Sequence, residues 1–332
     1  MRIQAAILHI FDPHLNEPVY SVAGLDLQEE YIFDYIKAKV EKCLSSPQQK
    51  QCRLAEEADF HQKALELGEN FLATSQAMSS QLFALVRHNP DIPPADLLWV
   101  KLLLWDMPFV ACFKLNHQEQ MTHHVQQKEE GLVNELLLHH SILPKGKQAL
   151  DECFLYCLPT RECFVLEKKH LMEETGEREF YFSEAFLKLP LQPAVKDQLN
   201  AVKKAVKKTA QSFNEDAYEV LARAKEETVD AVMADEVINH PRLAQAFFPE
   251  EPAKQASYLE ETANLGMPEE SPAPKTMLSA RMNRQKLKLG NGIELLVPLE
   301  LFHEKDAVEI INQPDGTLNI ILKNIEDIEN LF

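Results

Sequence analysis

The chain has 332 residues, with 52 acidic side chains against 34 Lys and Arg and a formal net charge of −18. That length exceeds what one hydrophobic core usually fills, so two domains are expected. Nine glycines are too few for a turn-dense all-β fold, neither glycine-rich phosphate loop (G-x-x-x-x-G-K-[ST] or G-x-G-x-x-G) occurs, and so acidic a chain repels nucleic acid at long range.

Ile3–Ile10 reads as a strand, with Asp12–Asn16 as a turn into a second short strand at Val19–Val22. Asp26 is placed to cap a helix over Gln28–Leu44, whose apolar face is Ile32, Phe33, Ile36, Val40 and Leu44. One long helix is expected over Asp59–His88, closed by Asn89-Pro90. Leu97–Leu115 reads as strand, turn, strand, and its run Leu98–Leu104 is apolar enough for a central strand buried on both faces. A polar segment, Asn116–Glu130, follows. Phe154–Cys157 and Cys163–Leu166 form a further strand pair, and Phe180–Phe182 a short strand. These elements make an α+β domain, residues 1–182, on a mixed or antiparallel sheet.

The second domain, residues 183–332, opens with an amphipathic helix over Leu199–Phe213. Val195, Leu199, Val202, Val206, Ala210 and Phe213 recur at steps of three and four, with the lysines on the other side of the wheel. Ser212 and Glu215 suggest a capping box for a helix to about Val237. Shorter helices follow, then a Pro-rich linker at Pro268–Pro274. From Gln285 the period becomes two, and two hairpins turn at Gly290-Asn291-Gly292 and Gln313-Pro314-Asp315-Gly316.

No membrane span is expected, because the most apolar window, Leu97–Phe113, is broken by Lys101, Asp106 and Pro108. The N-terminus is too short in apolar residues for a signal peptide, and six scattered cysteines fit reduced thiols, so a cytoplasmic protein is expected.

The charge is unevenly spread. Residues 183–213 carry six Lys/Arg against two acids, and residues 273–290 carry five against none. Around these two basic islands the chain is acidic, most of all over 214–272, where 14 acids meet four bases. The first island holds Lys203, Lys204, Lys207 and Lys208, unrelieved by Glu at i+4. The second holds Lys275, Arg281, Arg284, Lys286 and Lys288. Both have a plain structural explanation, as a solvated helix face and as edge-strand protection. Both also suit phosphate contact. On one surface they offer about six to nine contacts, without sequence readout.

Two groups of side chains have the residue types of a metal site. Cys153, Cys157 and Cys163 with His139, His140 and His170 lack the C-x-x-C pair typical of structural zinc. Asp151 with Glu167 and Lys169 has the D…E-x-K order of metal-dependent nucleases, in which two carboxylates hold a divalent ion.

Gly292–Leu295, Asn312–Ile320 and Leu322–Ile325 resemble the C-terminal end of the 37-kilodalton nucleoid-associated bacterial protein family. The opening strand, the helix after it, the apolar strand pair and the terminal hairpins follow that family's order. The resemblance implies a cytoplasmic protein at the nucleoid that binds double-stranded DNA, with no cofactor and no catalytic motif. The resulting expectation is a non-enzymatic α+β protein binding duplex DNA with little sequence specificity through the two islands, with no metal site. A homodimer would place two such surfaces on one duplex. The alternatives are an acidic interaction protein acting on DNA topoisomerases or other nucleoid proteins, and, third, a metal-dependent nuclease.

Overall fold

A computed structural model describes residues 1–12, 15–87, 89–129, 131–173, 175–215, 217–274, 284–288, 292–298, 307–313 and 318–325. The chain divides into two compact units, Met1–Ala194 and Val195–Phe332.

The first unit runs β1 (Arg2–Phe11), α1 (Glu30–Leu44), β2 (Lys50–Arg53), α2 (Asp59–Glu69), α3 (Phe71–Val86), β3 (Ala95–Leu104), β4 (Met107–Asn116), β5 (Gln118–Lys128), β6 (Gly131–Ile142), β7 (Glu152–Cys157), β8 (Glu162–Leu166), β9 (His170–Leu171) and β10 (Arg178–Glu179), then a π-helical turn at Phe182–Leu187. Six strands form one antiparallel sheet in the order β1-β3-β4-β7-β8-β2. Side chains alternate across it. Leu97, Trp99, Val110, Cys112, Phe154 and Tyr156 pack with α2 and α3 on one face. Leu98, Val100, Leu102, Ala111, Phe113 and Leu155 pack with Ile36 and Val40 of α1 on the other. The apolar run of β3 therefore does fill both faces, as a central strand must. Its hairpin to β4 closes on Trp105 and Asp106, both at positive φ (51° and 60°), which matches a two-residue turn of the primed type.

Three local expectations are corrected here. The helix expected over Asp59–His88 is broken at Asn70, where φ is −111° and ψ 57°. The Lys101 ammonium of β3 donates to the Gly68 carbonyl, so that carbonyl is held from outside the helix. The polar segment 116–130 is half of a long hairpin: β5 pairs with β6 from Gln118↔Ile142 to Lys128↔Gly131. Phe180–Phe182 is not a strand; it leads into the π-helical turn, with Phe182 packed on Phe154 and Phe186. The second short strand survives as a single bridge, Ile10↔Val19.

His9 of β1 is fully buried beside α3. Its Nδ1 accepts the Ser21 backbone N–H at 3.1 Å, and its Nε2 lies 3.0 Å from Ser75 Oγ, which itself donates to the Leu72 carbonyl. This geometry fixes a neutral ring with its proton on Nε2, because a proton on Nδ1 would face the Ser21 N–H. Burial pushes the ring pKa down to about 4. The folded pKa lies below the unfolded one, so the neutral ring's contribution is complete above about pH 6.5 and is lost as pH falls toward about 4, at most about 3 kcal/mol. Urea unfolding of the wild type should therefore lose more stability between pH 7 and pH 4.5 than a His9→Gln variant does. Equal losses in both proteins would refute this.

The second unit runs α4 (Val195–Ser212), α5 (Ala217–Asp235), β11 (Val237–Asn239), α6 (His240–Phe247), α7 (Pro252–Asn264), β12 (Glu270–Pro272), β13 (Arg284–Lys288), β14 (Glu294–Pro298), β15 (Val308–Asn312) and β16 (Leu318–Leu322). Val202, Val206 and Ala210 of α4 pack with Val220, Ala224 and Val232 of α5 and with Phe247, Phe248 and Tyr258. β13–β14 and β15–β16 are the two terminal antiparallel hairpins, and Val297 and Val308 pack on Ala222 of α5. The turn residues Gly290, Asn291 and Pro314–Gly316 lie outside the described residues. The expected Ser212 cap is corrected: the Ser212 hydroxyl donates back to the Lys208 carbonyl, one turn earlier.

Candidate nucleic-acid interface

α4 is amphipathic because its apolar residues return every three or four positions, and its buried side is Val195, Gln198, Ala201, Val202, Ala205, Val206, Thr209 and Ala210. Burying that stripe leaves Lys196, Lys203, Lys204, Lys207 and Lys208 exposed. Lys203 and Lys207 lie one turn apart, as do Lys204 and Lys208, so the four form two short parallel rows. Among the described residues Lys208 has an ion-pair partner: its ammonium sits 2.6 Å from Glu261 of α7.

α5 adds a cation that the sequence reading missed. Burial first, and the neighbouring Lys203 charge second, lower the pKa of Lys225 below the ordinary lysine value. Lys225 follows Ala222 by three residues, so it lies on the side of α5 that the terminal hairpins cover. The signal available in sequence was slight, a single lysine within an acidic helix.

Of the second island, Arg284, Lys286 and Lys288 lie on β13, opposite Pro298, Leu296 and Glu294 of β14. Lys275 and Arg281 lie outside the described residues.

The acidic surface around α4 is partly neutralised by ion pairs of its own. Asp235 meets Arg242, and Glu215 and Glu251 both meet Lys254. These are exposed or half-exposed contacts, each worth little to stability.

The residues of the two metal readings have other occupations. Asp151 pairs with Lys168 and accepts from Asn116. Glu167 is bound by Lys50 at 2.7 Å and by the Ser183 backbone N–H at 3.0 Å. Lys169 lies over the Phe180 ring. The D…E-x-K set therefore does not converge on one free site. Cys153 and Cys163 are buried, beside Cys43 and Cys52 respectively, and Cys157 faces Met107. Among the described residues no group of three His, Cys, Asp or Glu side chains is arranged to hold a metal ion. Among them, too, no helix is long and apolar enough to cross a membrane.

The polar centre of the first unit lies where the sequence did not point. Lys114 and Glu152, both fully buried, meet at 3.2 Å across β4 and β7. His170 donates from Nε2 to Glu152 at 2.6 Å and from Nδ1 to the Asp91 carbonyl at 2.9 Å. Burial acts to raise the Glu152 pKa, but Lys114 and His170 outweigh it and hold the carboxyl below its usual range. Burial likewise opposes charge on His170, and the bond to Glu152 overcomes it, raising the ring pKa. With both ring nitrogens facing acceptors, this network is a closed structural brace.

Comparison with individual curated proteins gives no match. The family model of the nucleoid-associated protein YejK matches residues 7–329. That span takes in the sheet, the lysine helix and both terminal hairpins, so the chain belongs to the YejK family of nucleoid-associated proteins.

Proposed function

We propose that the protein is a non-enzymatic nucleoid component that binds double-stranded DNA with little sequence specificity, in the cytoplasm and without a cofactor. The observation that carries the reading is the exposed lysine face of α4, set on a helix whose other side is committed to the core. Lys203, Lys204 and Lys207, exposed on α4, supply phosphate contacts. The basic residues Lys275, Arg281, Arg284, Lys286 and Lys288 are assigned to phosphate contact on their charge in the sequence. Family membership supports a role at the nucleoid. Lysine contacts of this kind position a duplex and read no bases. In this reading residues 1–182 form a scaffold domain and residues 183–332 the DNA-binding domain.

The net charge of −18 sets the conditions under which binding is seen. Long-range repulsion slows encounter, while contact at the basic patch releases counterions, so binding is strong only at low salt. The test is the affinity of the full chain for a short duplex as salt rises. With six to nine contacts the log–log slope is expected to be about −5 to −8, and equal for unrelated sequences. Absence of binding at low salt would sink the reading. The acidic surface of residues 214–272, acting on topoisomerases or other DNA-handling proteins, would then be the function to pursue.

A further inference from the structure

We propose that the β5–β6 hairpin is a self-association arm, through which two copies of the chain pack face to face. Among the described residues β5 and β6 pair with each other and with no other strand. A lone two-stranded ribbon is marginal in water and needs a further layer to hold it.

One face of this ribbon is apolar. The register pairs Met121 with Leu138, His123 with Leu136, Val125 with Asn134 and Gln127 with Leu132, and side chains of these pairs point to one side. Leu136 is 75% exposed, Leu132 70%, Met121 56%, Val125 47% and Leu138 46%. The other face pairs Thr122 with Leu137, His124 with Glu135 and Gln126 with Val133, so it carries two apolar residues among four polar ones. An amphipathic ribbon with its apolar side in water lacks a layer on that side.

The exposed parts of those five side chains amount to roughly 500 Å², at the upper end of what a monomer leaves uncovered. Two copies placed apolar face to apolar face bury roughly 1,000 Å² from these residues alone, the size at which specific interfaces begin. The charge pattern selects a second copy over a lipid surface. Between Gln118 and Ile142 the one Lys or Arg is Lys128, already bound to Glu135 at 3.0 Å. Glu119 and Glu129 add negative charge, which anionic headgroups repel.

The same pattern selects the orientation. Stacked antiparallel about a two-fold axis, the tip residue Glu129 of one ribbon lies over the base of the other, away from the partner's Glu129. Stacked parallel, Glu129 would meet the partner's Glu129. The isologous antiparallel arrangement matches apolar with apolar and keeps the two Glu129 carboxylates apart. It does not rest on the DNA reading. If both hold, each dimer carries two α4 surfaces.

The test is the mass of the full-length chain in solution at micromolar concentration, by sedimentation or light scattering. The wild type is expected at twice the chain mass. A variant carrying Leu132→Glu and Leu136→Glu is expected at the single chain mass with unchanged circular dichroism. Thr122→Glu, on the opposite face, is expected to remain dimeric. Should the double variant fail to fold, Leu136→Ser alone is expected to weaken the dimer at least tenfold. A monomeric wild type, an apolar-face variant that stays fully dimeric, or a Thr122→Glu variant that dissociates as readily would each overturn the proposal.

Discussion

Glu152→Gln is expected to destabilise the first unit by about 3–5 kcal/mol, the usual cost of breaking a buried ion pair from one side. The glutamine keeps nearly the same volume, so packing at the β4–β7 contact is preserved. What is lost is the charge that compensates Lys114, fully buried, and His170, nearly so. Lys114 then faces the interior without its paired carboxylate, and His170 keeps only the partly exposed Asp91 carboxylate at 3.4 Å. By contrast, removing Glu41, which meets Lys37 at 3.9 Å on the exposed side of α1, is expected to cost less than about 0.5 kcal/mol. The double change Glu152→Met with Lys114→Met should cost less than the sum of its parts, because it deletes both charges together. Both tryptophans, Trp99 and Trp105, lie in the first unit. Their fluorescence during urea unfolding therefore reports that unit alone, even where the whole chain does not unfold in one step. A loss below about 1 kcal/mol for Glu152→Gln would show that the network is solvated, and so not the brace described above.

This brace also shows why sequence led elsewhere. Asp151, Glu167 and Lys169 drew attention because carboxylates and a lysine at that spacing fit a metal site. The buried network uses Glu152 and His170, each one position along from Asp151 and Lys169. Glu152 opens β7 and His170 opens β9, while Asp151 and Lys169 lie just before those strands, so the right segment read one residue early gives the wrong residues. Nothing local distinguishes Glu152 from Asp151; the distinction is made by Lys114, 38 positions away, on the neighbouring strand.

Elements that carry their own periodicity were legible. The apolar run of β3, the stripe of α4 and the alternation of β13 and β14 are each dictated within a dozen residues. Elements decided by a distant partner were not. α2 and α3 look like one helix until Lys101 engages the Gly68 carbonyl. β5, Gln-Glu-Gln-Met-Thr-His-His-Val-Gln-Gln-Lys, has too few apolar residues to announce a strand, and it is one because β6 lies beside it. The lysine rows were visible at once, since exposure on α4 follows from what its other face must bury. The difference between Lys208 and its neighbours was not visible, because Glu261 arrives from a separate helix.

That difference gives the largest expected effect on binding. A single phosphate contact releases about 0.9 counterion, worth about 1.2 kcal/mol, or about eightfold, at 0.1 M salt. Lys203→Ala, Lys204→Ala and Lys207→Ala combined should then weaken duplex binding about 500-fold and flatten the salt slope by about 3. The loss should be uniform across sequences, since no base contact is removed. Lys208→Ala should cost distinctly less than any of the other three, because its ammonium must leave Glu261 before it meets a phosphate. Glu261→Gln should act in the opposite sense, releasing Lys208 and tightening binding by up to about eightfold while steepening the slope by about 1. Titrating one fluorescent duplex against these variants at several salt concentrations measures affinity and slope together. If the triple variant loses less than tenfold, α4 is not the main contact. If Lys208→Ala costs as much as each of the others, the Glu261 pair does not persist in solution and the four lysines act alike.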